Sequence, residues 1–390
     1  MMIIGISLFM CGALCFANAL GLWLLPALIR SRKNDAVNPR LATVPNGSSS
    51  RSVRSLDIIL PAHNEERVIA ESLKSLSLAM RKLVSENAPI PVKIRVIVAL
   101  DHCTDQTESR ARAAMPEVEI FVNQGAQGKW SLLTQLIGAS RADWVALVDS
   151  GSVWAPELLA EWHARVSARP EIMALAPSYL PKRCETVETL HWLLEQTLKS
   201  IEGRVARGPT SVHGATVFYE TATVQETLSF LKSRESNHWL NDDVVVPLTL
   251  RGLNRQRRIE YLAGHPTGGW VSDLGLVADR GAEYRRRRRM LAGNMQWIGR
   301  VWLDRSVAGS GGFCIASRRV FRVFWAYWVM LMALGLTMIS PLFFGTFATI
   351  ALGALFLLKP TKRIAMAFLS GLVGPVQFSI DRSLKGAAWR

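Results

Sequence analysis

The chain has 390 residues, 49% of them hydrophobic and 20% charged, enough apolar material for one large packed domain with segments left over. Lys and Arg number 46 against 31 Asp and Glu, a formal net charge of +15, so phosphate-bearing ligands, anionic lipid surfaces and nucleic acid are all electrostatically admissible partners. Five cysteines without a C-x-x-C pair give no sign of a zinc site or a disulfide framework, and a reducing compartment fits them.

Residues 3–29 contain no charge. As a helix they exceed a hydrocarbon core of roughly 30 Å, so residues 1–30 are expected to form an N-terminal transmembrane anchor. A cleaved signal peptide is the competing reading, helped by Ala17-Asn18-Ala19 but weakened by the absence of a basic start. Arg30, Arg32 and Lys33 follow directly, which places the next domain in the cytoplasm. Residues 31–54, rich in Pro, Gly, Ser and Asn, read as a linker.

A soluble domain is expected over 55–320. It opens with short apolar runs alternating with helical patterns: LDIIL (56–60), KIRVIVAL (93–100), VEIFV (118–122) and WVALV (144–148), with helices from about 65 and 107. That rhythm predicts an α/β fold with a mostly parallel sheet, whose ligands lie beyond the carboxyl ends of the strands. Towards the C-terminus, 323–358 is uncharged but interrupted by Ser340-Pro341, with basic residues on both sides, and predicts a transmembrane hairpin over 321–358. The remaining 359–390 holds an interfacial helix or a third crossing, followed by a basic tail.

The polar motifs fall at the strand ends. ILPAHNEE (59–66), ALDHCTDQT (99–107), GKWSLL (128–133), LVDSGSVWAP (147–156), GATVFY (214–219), LNDDVVVPLTLRG (240–252) and EYRRRRRMLAGNMQ (283–296) stand in order along the domain. Together they resemble family 2 glycosyltransferases of the GT-A fold, in the membrane-bound, polysaccharide-synthase-like branch. The resemblance implies a nucleotide-sugar donor, expected to be UDP-linked, with Mg2+ or Mn2+ as cofactor. It assigns donor contacts to Ala62, Glu65, Asp101 and Lys129, although Asn64 or Glu65 could instead cap the next helix, and Asp105 reads as a helix start. Asp149 is the acid of the family's DxD motif and the expected metal ligand. The triplet here is Asp149-Ser150-Gly151, lacking the second acid, which Mg2+ tolerates because it commonly keeps waters and binds substrate phosphates.

By the same resemblance Asp243, with Asp242 beside it, is the carboxylate that takes the acceptor's proton in an inverting transfer. A helix cap is the structural alternative for this acidic pair. Five consecutive arginines would ordinarily be a solvated face or a headgroup patch. Ahead of the G-N-x-Q element, Arg285, Arg288 and Arg289 are instead expected to clamp the donor diphosphate. Gly214, Gln296 and Trp297 are expected on the acceptor side, with an interfacial anchor as the other reading of Trp297.

The implied function is transfer to a lipid-linked or polysaccharide acceptor at the cytoplasmic membrane, by a multi-pass protein in contact with membrane lipids and other synthesis subunits. No nucleic-acid partner is expected once the anchors are accepted. The alternatives are a polyprenyl-phosphate glycosyltransferase and a catalytically weak nucleotide-sugar-binding subunit of a synthase complex, the latter kept open by Gly151.

Overall fold

The computed structural model describes residues 1–20, 51–85, 91–125, 127–182, 186–205, 208–233, 238–254, 256–266, 269–274, 280–304, 316–341, 345, 368, 371–373 and 375. In chain order the elements are α1 (Met2–Leu20), β1 (Ser55–Ala62), α2 (Ile69–Ser85), β2 (Lys93–Leu100), α3 (Thr107–Ala114), β3 (Glu119–Val122), α4 (Lys129–Ala139), β4 (Trp144–Val148), β5 (Ser152–Trp154) and α5 (Leu158–Ala168). They continue with β6 (Ile172–Pro177), α6 (Thr186–Val205), β7 (Thr216–Glu220), α7 (Thr221–Lys232), α8 (Asp242–Leu253), β8 (Arg258–Leu262), β9 (Val271–Asp273) and α9 (Arg280–Trp297). A π-helical turn (Ile298–Trp302) follows, then α10 (Ala316–Val323) and α11 (Trp325–Ile339).

The four expected strands form one half of a seven-stranded sheet of order β3-β2-β1-β4-β7-β6-β8. β1, β2, β3 and β4 are mutually parallel, β7 runs antiparallel between β4 and β6, and β8 is parallel to β6. The near-continuous aliphatic runs are what a sheet covered on both faces requires. Alternation sorts them: Ile59, Ile97, Val145 and Leu147 pack with α4, α7 and α8, while Ile58, Leu60, Val98 and Ala146 pack with α2 and α5. The expected α/β architecture with flanking helices holds. The linker ends earlier than expected, because Val53 is buried and the Arg54 amide bonds the Asp143 carboxylate, so the chain joins the domain from Arg51.

Among the described residues α1 is the one continuous helix long and apolar enough to cross a membrane. It packs on α11 at glycines: a Cβ on Gly335 would come within 2.5 Å of the Phe9 backbone nitrogen and 2.6 Å of the Gly5 carbonyl, so the helices touch backbone to backbone. The expected hairpin is described only in its first arm. α11 has 15 residues, short for a span, and meets α10 at a 66° bend. The returning arm, most of the segment 364–380 and the linker 31–50 lie outside the described residues.

Candidate active site

The carboxyl ends of β1, β2 and β4 open on the same edge of the sheet, and a cleft of about 450 Å³ lies beyond them. Glu65, Lys129, Asp149, Asp242 and Arg289 line it, with the 238–240 segment as one wall.

Two loops knit the floor. Asn64 takes a left-handed backbone (φ 57°) and its side-chain oxygen accepts the Thr104 amide, while the Glu65 and Glu66 amides donate to Thr107 and Asp105. Asn64 and Asp105 are thus stitches between the loops after β1 and β2. Glu65 reaches the cleft, where burial raises its carboxyl above the usual range against a hydrogen bond from Ser150.

Asp101 is fully buried. Its carboxylate accepts from the Asn123 side chain (2.7 Å) and the Gly128 amide (2.8 Å), so it fixes the turn that carries Lys129 instead of standing in the cleft. Gly128 makes that turn at φ 144°, a conformation side chains resist. Ala62, the last residue of β1, is also buried, and its carbonyl accepts the Asp101 amide and the Cys103 thiol.

From this turn Lys129 places its ammonium 2.9 Å from Asp149 Oδ1 and 3.3 Å from Asp242 Oδ2. Burial would lower its pKa, but attraction to Asp149 and then Asp242 more than reverses that, so Lys129 stays charged. Gly214 lies where a Cβ would be 3.8 Å from both Asp149 Oδ2 and Asp243 Cβ, which makes it the gap between the two acids. A Cβ on Gly151 would meet only Val68, at 4.0 Å, so the place of the missing second acid is open space.

Asp242 and Asp243 form the first turn of α8, where the helix dipole favours carboxylates. Burial, and next the charge on Asp242, raise the Asp243 carboxyl above the ordinary aspartate value; Arg319, Lys199 and Lys129 pull the other way. The G-N-x-Q element holds this turn in place. A Cβ on Gly293 would sit 2.3 Å from Asn241 Oδ1, Asn294 accepts from Asn241, and Gln296 bonds both the Leu240 amide and the His238 carbonyl.

One acceptor-side expectation, Trp297, is corrected accordingly. Trp297 is completely buried in the core with its indole N–H on Asn294, and Gln296 is a staple for the cleft wall. Both shape the site from behind. Of the arginine run, Arg289 lines the cleft, while the side chains of Arg285 and Arg288 lie outside the described residues.

The sequence reasoning missed a second charged cluster behind Asp243. Arg318 of α10, 1% exposed, pairs with Glu202 (2.9 Å) and Glu195 (3.1 Å) of α6, and Arg322 also bonds Glu195. Glu195 is held well below the usual range because Arg322 and Arg318 outweigh its burial. Buried Lys199 donates to the Ser211 carbonyl (2.8 Å) and hydroxyl (3.0 Å); burial, then Arg319, lowers its pKa to about 7. The adjacent Val212 amide donates to the Asp243 carbonyl (2.9 Å), which ties this cluster to the acid. The spacing of Glu195, Lys199 and Glu202 at i, i+4 and i+7 was the available signal, since it aligns three charges on one helix face.

Residues 57–233 match the family model described as Glycosyl transferase family 2. Among solved structures, a mannosyltransferase, PcManGT from Pyrobaculum calidifontis in complex with GDP-Man and Mn2+, superposes with a TM-score of 0.64 at 16% identity, covering 98% of this chain and 99% of that one. Glucosyl-3-phosphoglycerate synthase from Mycobacterium tuberculosis, in complex with Mn2+, UDP and phosphoglyceric acid, gives a TM-score of 0.39 at 17% identity over 63% of this chain and 78% of that one. No curated protein sequence matches. At these identities the first likeness speaks to the fold, which agrees over nearly the whole of both chains. Family match and architecture coincide on the half of the sheet that carries Glu65, Lys129 and Asp149, so residues 57–233 carry a Glycosyl transferase family 2 match on a GT-A-like fold.

Proposed function

We propose that the protein transfers a sugar, with inversion, from a nucleotide-diphosphate donor to a hydroxyl-bearing lipid-linked or glycan acceptor at a membrane surface. The observation that carries this reading is the alignment of Lys129, Asp149 and Asp242 along one wall of the cleft, with Asp243 across the Gly214 gap. An attacking hydroxyl must lose its proton as it meets the anomeric carbon, and Asp243 is the base that takes it. Its raised pKa makes it a better proton acceptor than an exposed aspartate.

Donor binding falls to Glu65 near the nucleoside, with Lys129 and Arg289 as cationic partners for the diphosphate. Arg285 and Arg288 extend that clamp in the same reading. Two carboxylates gathered about one cationic group form a hard oxygen set that suits Mg2+ or Mn2+, so Asp149, assisted by Asp242, would hold the ion together with donor phosphates. Held there by Asp149 and Asp242, such an ion would supply charge neutralisation to the leaving nucleotide. PcManGT, crystallised with GDP-Man and Mn2+, and the synthase crystallised with UDP and Mn2+ are consistent with this donor class. UDP-sugars are proposed first on the sequence motifs, with GDP-sugars as the comparison.

The glycine-to-backbone packing of α1 on α11 supports a retained anchor over a cleaved leader, because removal of α1 would expose that close-packed face. The basic residues after α1 favour a cytoplasmic domain in a multi-pass protein of the cytoplasmic membrane. Contact with membrane lipids and with other polysaccharide-synthesis subunits belongs to the same reading.

Purified protein in detergent, given UDP- and GDP-sugars with Mg2+ or Mn2+, should release nucleotide from one donor class in a metal-dependent way. Binding of donors with no release in the presence of any lipid or glycan acceptor would support a non-catalytic subunit instead. Reporter fusions at residues 45 and 360 should both behave as cytoplasmic, and periplasmic activity at 45 would contradict the topology.

A further inference from the structure

Lys129 stands in an unusual position for a residue whose task is to meet a diphosphate. Its ammonium lies between Asp149 and Asp242, within ion-pair distance of each, and 26% of the side chain remains exposed to the cleft. The backbone behind it is fixed: the Gly128 amide is bonded to buried Asp101, which is held in turn by Asn123. The side chain is long and lies at the first residue of α4, so it can swing while that turn stays put. Asp149, by contrast, has its second oxygen at the gap left by Gly214, with the Asp243 Cβ on the far side of that gap, and the Asp149 side chain is 49% exposed. The site therefore has one cationic occupant already supplied by the chain, and one open flank.

We infer that Lys129 is a built-in counter-cation: it neutralises the Asp149/Asp242 pair in the donor-free protein and gives the pair up to the divalent ion only when a nucleoside diphosphate arrives to receive its ammonium. The inference rests on the donor-binding reading above and adds an order of binding to it. Two carboxylates near one another repel, and a cation between them removes that cost. An entering metal must displace that cation, which leaves a positive charge beside a second positive charge unless an anion takes it up. The donor's phosphates are that anion, and they also complete the ion's oxygen shell, since Mg2+ is usually held by one or two carboxylates plus substrate phosphates. Loss of the second acid at Gly151 is consistent with such a site, because a stronger carboxylate set would capture metal without waiting for donor.

The test is Mn2+ binding by the full chain in detergent, followed by electron paramagnetic resonance of the free ion, with Mn2+ alone and with UDP or GDP added. Wild type should bind Mn2+ alone weakly and at least about tenfold more tightly with nucleoside diphosphate, the size expected when one unit charge is withdrawn from the pair. Lys129→Gln should bind Mn2+ alone at least about tenfold more tightly than wild type, whereas Lys129→Arg, which keeps the charge, should stay near wild type. Equal affinity for Mn2+ alone in wild type and Lys129→Gln would overturn the inference. So would wild type that binds Mn2+ as tightly without nucleotide as with it, a result that needs no variant to fold. If neither UDP nor GDP binds under any condition, the donor reading fails, while the nucleotide-free comparison of Lys129→Gln with wild type still decides the role of Lys129.

Discussion

Two clusters of opposite charges flank Asp243, and they are built to different ends. In front, Lys129, Asp149 and Asp242 face the cleft, with Asp149 49% exposed, and each keeps a side on which a ligand can arrive. Behind, Arg318, Glu202 and Lys199 are almost wholly buried, Glu202 also accepts from the Thr210 amide, and Lys199 donates to Ser211. The front cluster can exchange partners because water can replace them; the back cluster cannot, because an unpaired charge there has nowhere to go. Exchangeable ion pairs therefore stand on the solvent side of Asp243 and fixed ones on the protein side.

The sharpest contrast should come from removing one cation from each cluster. Arg318→Met leaves Glu202 buried without its arginine and Glu195 with Arg322 alone, and should destabilise the fold by about 3–5 kcal/mol, read as a lower melting temperature in detergent. Lys129→Gln should cost about 1 kcal/mol at most, since its pairs are partly solvated. Equal losses would erase the distinction between the clusters.

A smaller effect is expected from Asp149→Asn. It should weaken metal-dependent donor binding by about 2 kcal/mol, the worth of a hydrogen bond to a charged group, and leave the melting temperature near wild type. Unchanged donor affinity would remove Asp149 from the site.

Acid sensitivity should map to the back cluster. The folded pKa of Glu195 is depressed, so its stabilisation is complete above the ordinary glutamate value of about 4.5 and is lost as pH falls through the depressed folded value. Wild type should therefore lose melting temperature below about pH 4.5, and Glu195→Gln, less stable at neutral pH, should lose less on acidification. Parallel acid curves for the two proteins would mean that the pair with Arg318 and Arg322 does not carry this dependence.

The smallest effect is expected at Gly151. A side chain there enters open space, so Gly151→Asp should change stability by no more than about 0.5 kcal/mol while tightening Mn2+ binding. A large loss of stability would show that the flank is not open.

Much of the front cluster was legible in the sequence because its members end strands: Asp149 follows WVALV and Lys129 follows a glycine turn, so an ordered series of short motifs located them. The apolar runs 56–60, 93–100 and 144–148 likewise read directly as buried parallel strands. The antiparallel β7 between β4 and β6 was not legible, since register across a sheet depends on chain paths that no local pattern records. The back cluster was hidden for a similar reason: Arg318 and Glu202 are 116 residues apart, and the stripe on α6 shows three charges without showing what they face. Trp297 was misplaced because an aromatic beside a functional motif looks the same in sequence whether it lines a cleft or, as here, fills the core.

Asp243, between the two clusters, is the proposed base, and the most direct test of it is turnover and donor affinity of Asp243→Asn measured side by side. Turnover should fall by about 10²–10⁴-fold while donor affinity and melting temperature stay near wild type, because a base so proposed meets the acceptor and not the nucleotide. An Asp243→Asn protein that turns over normally would contradict the account, and loss of turnover in Asp242→Asn alone would move the base one residue earlier.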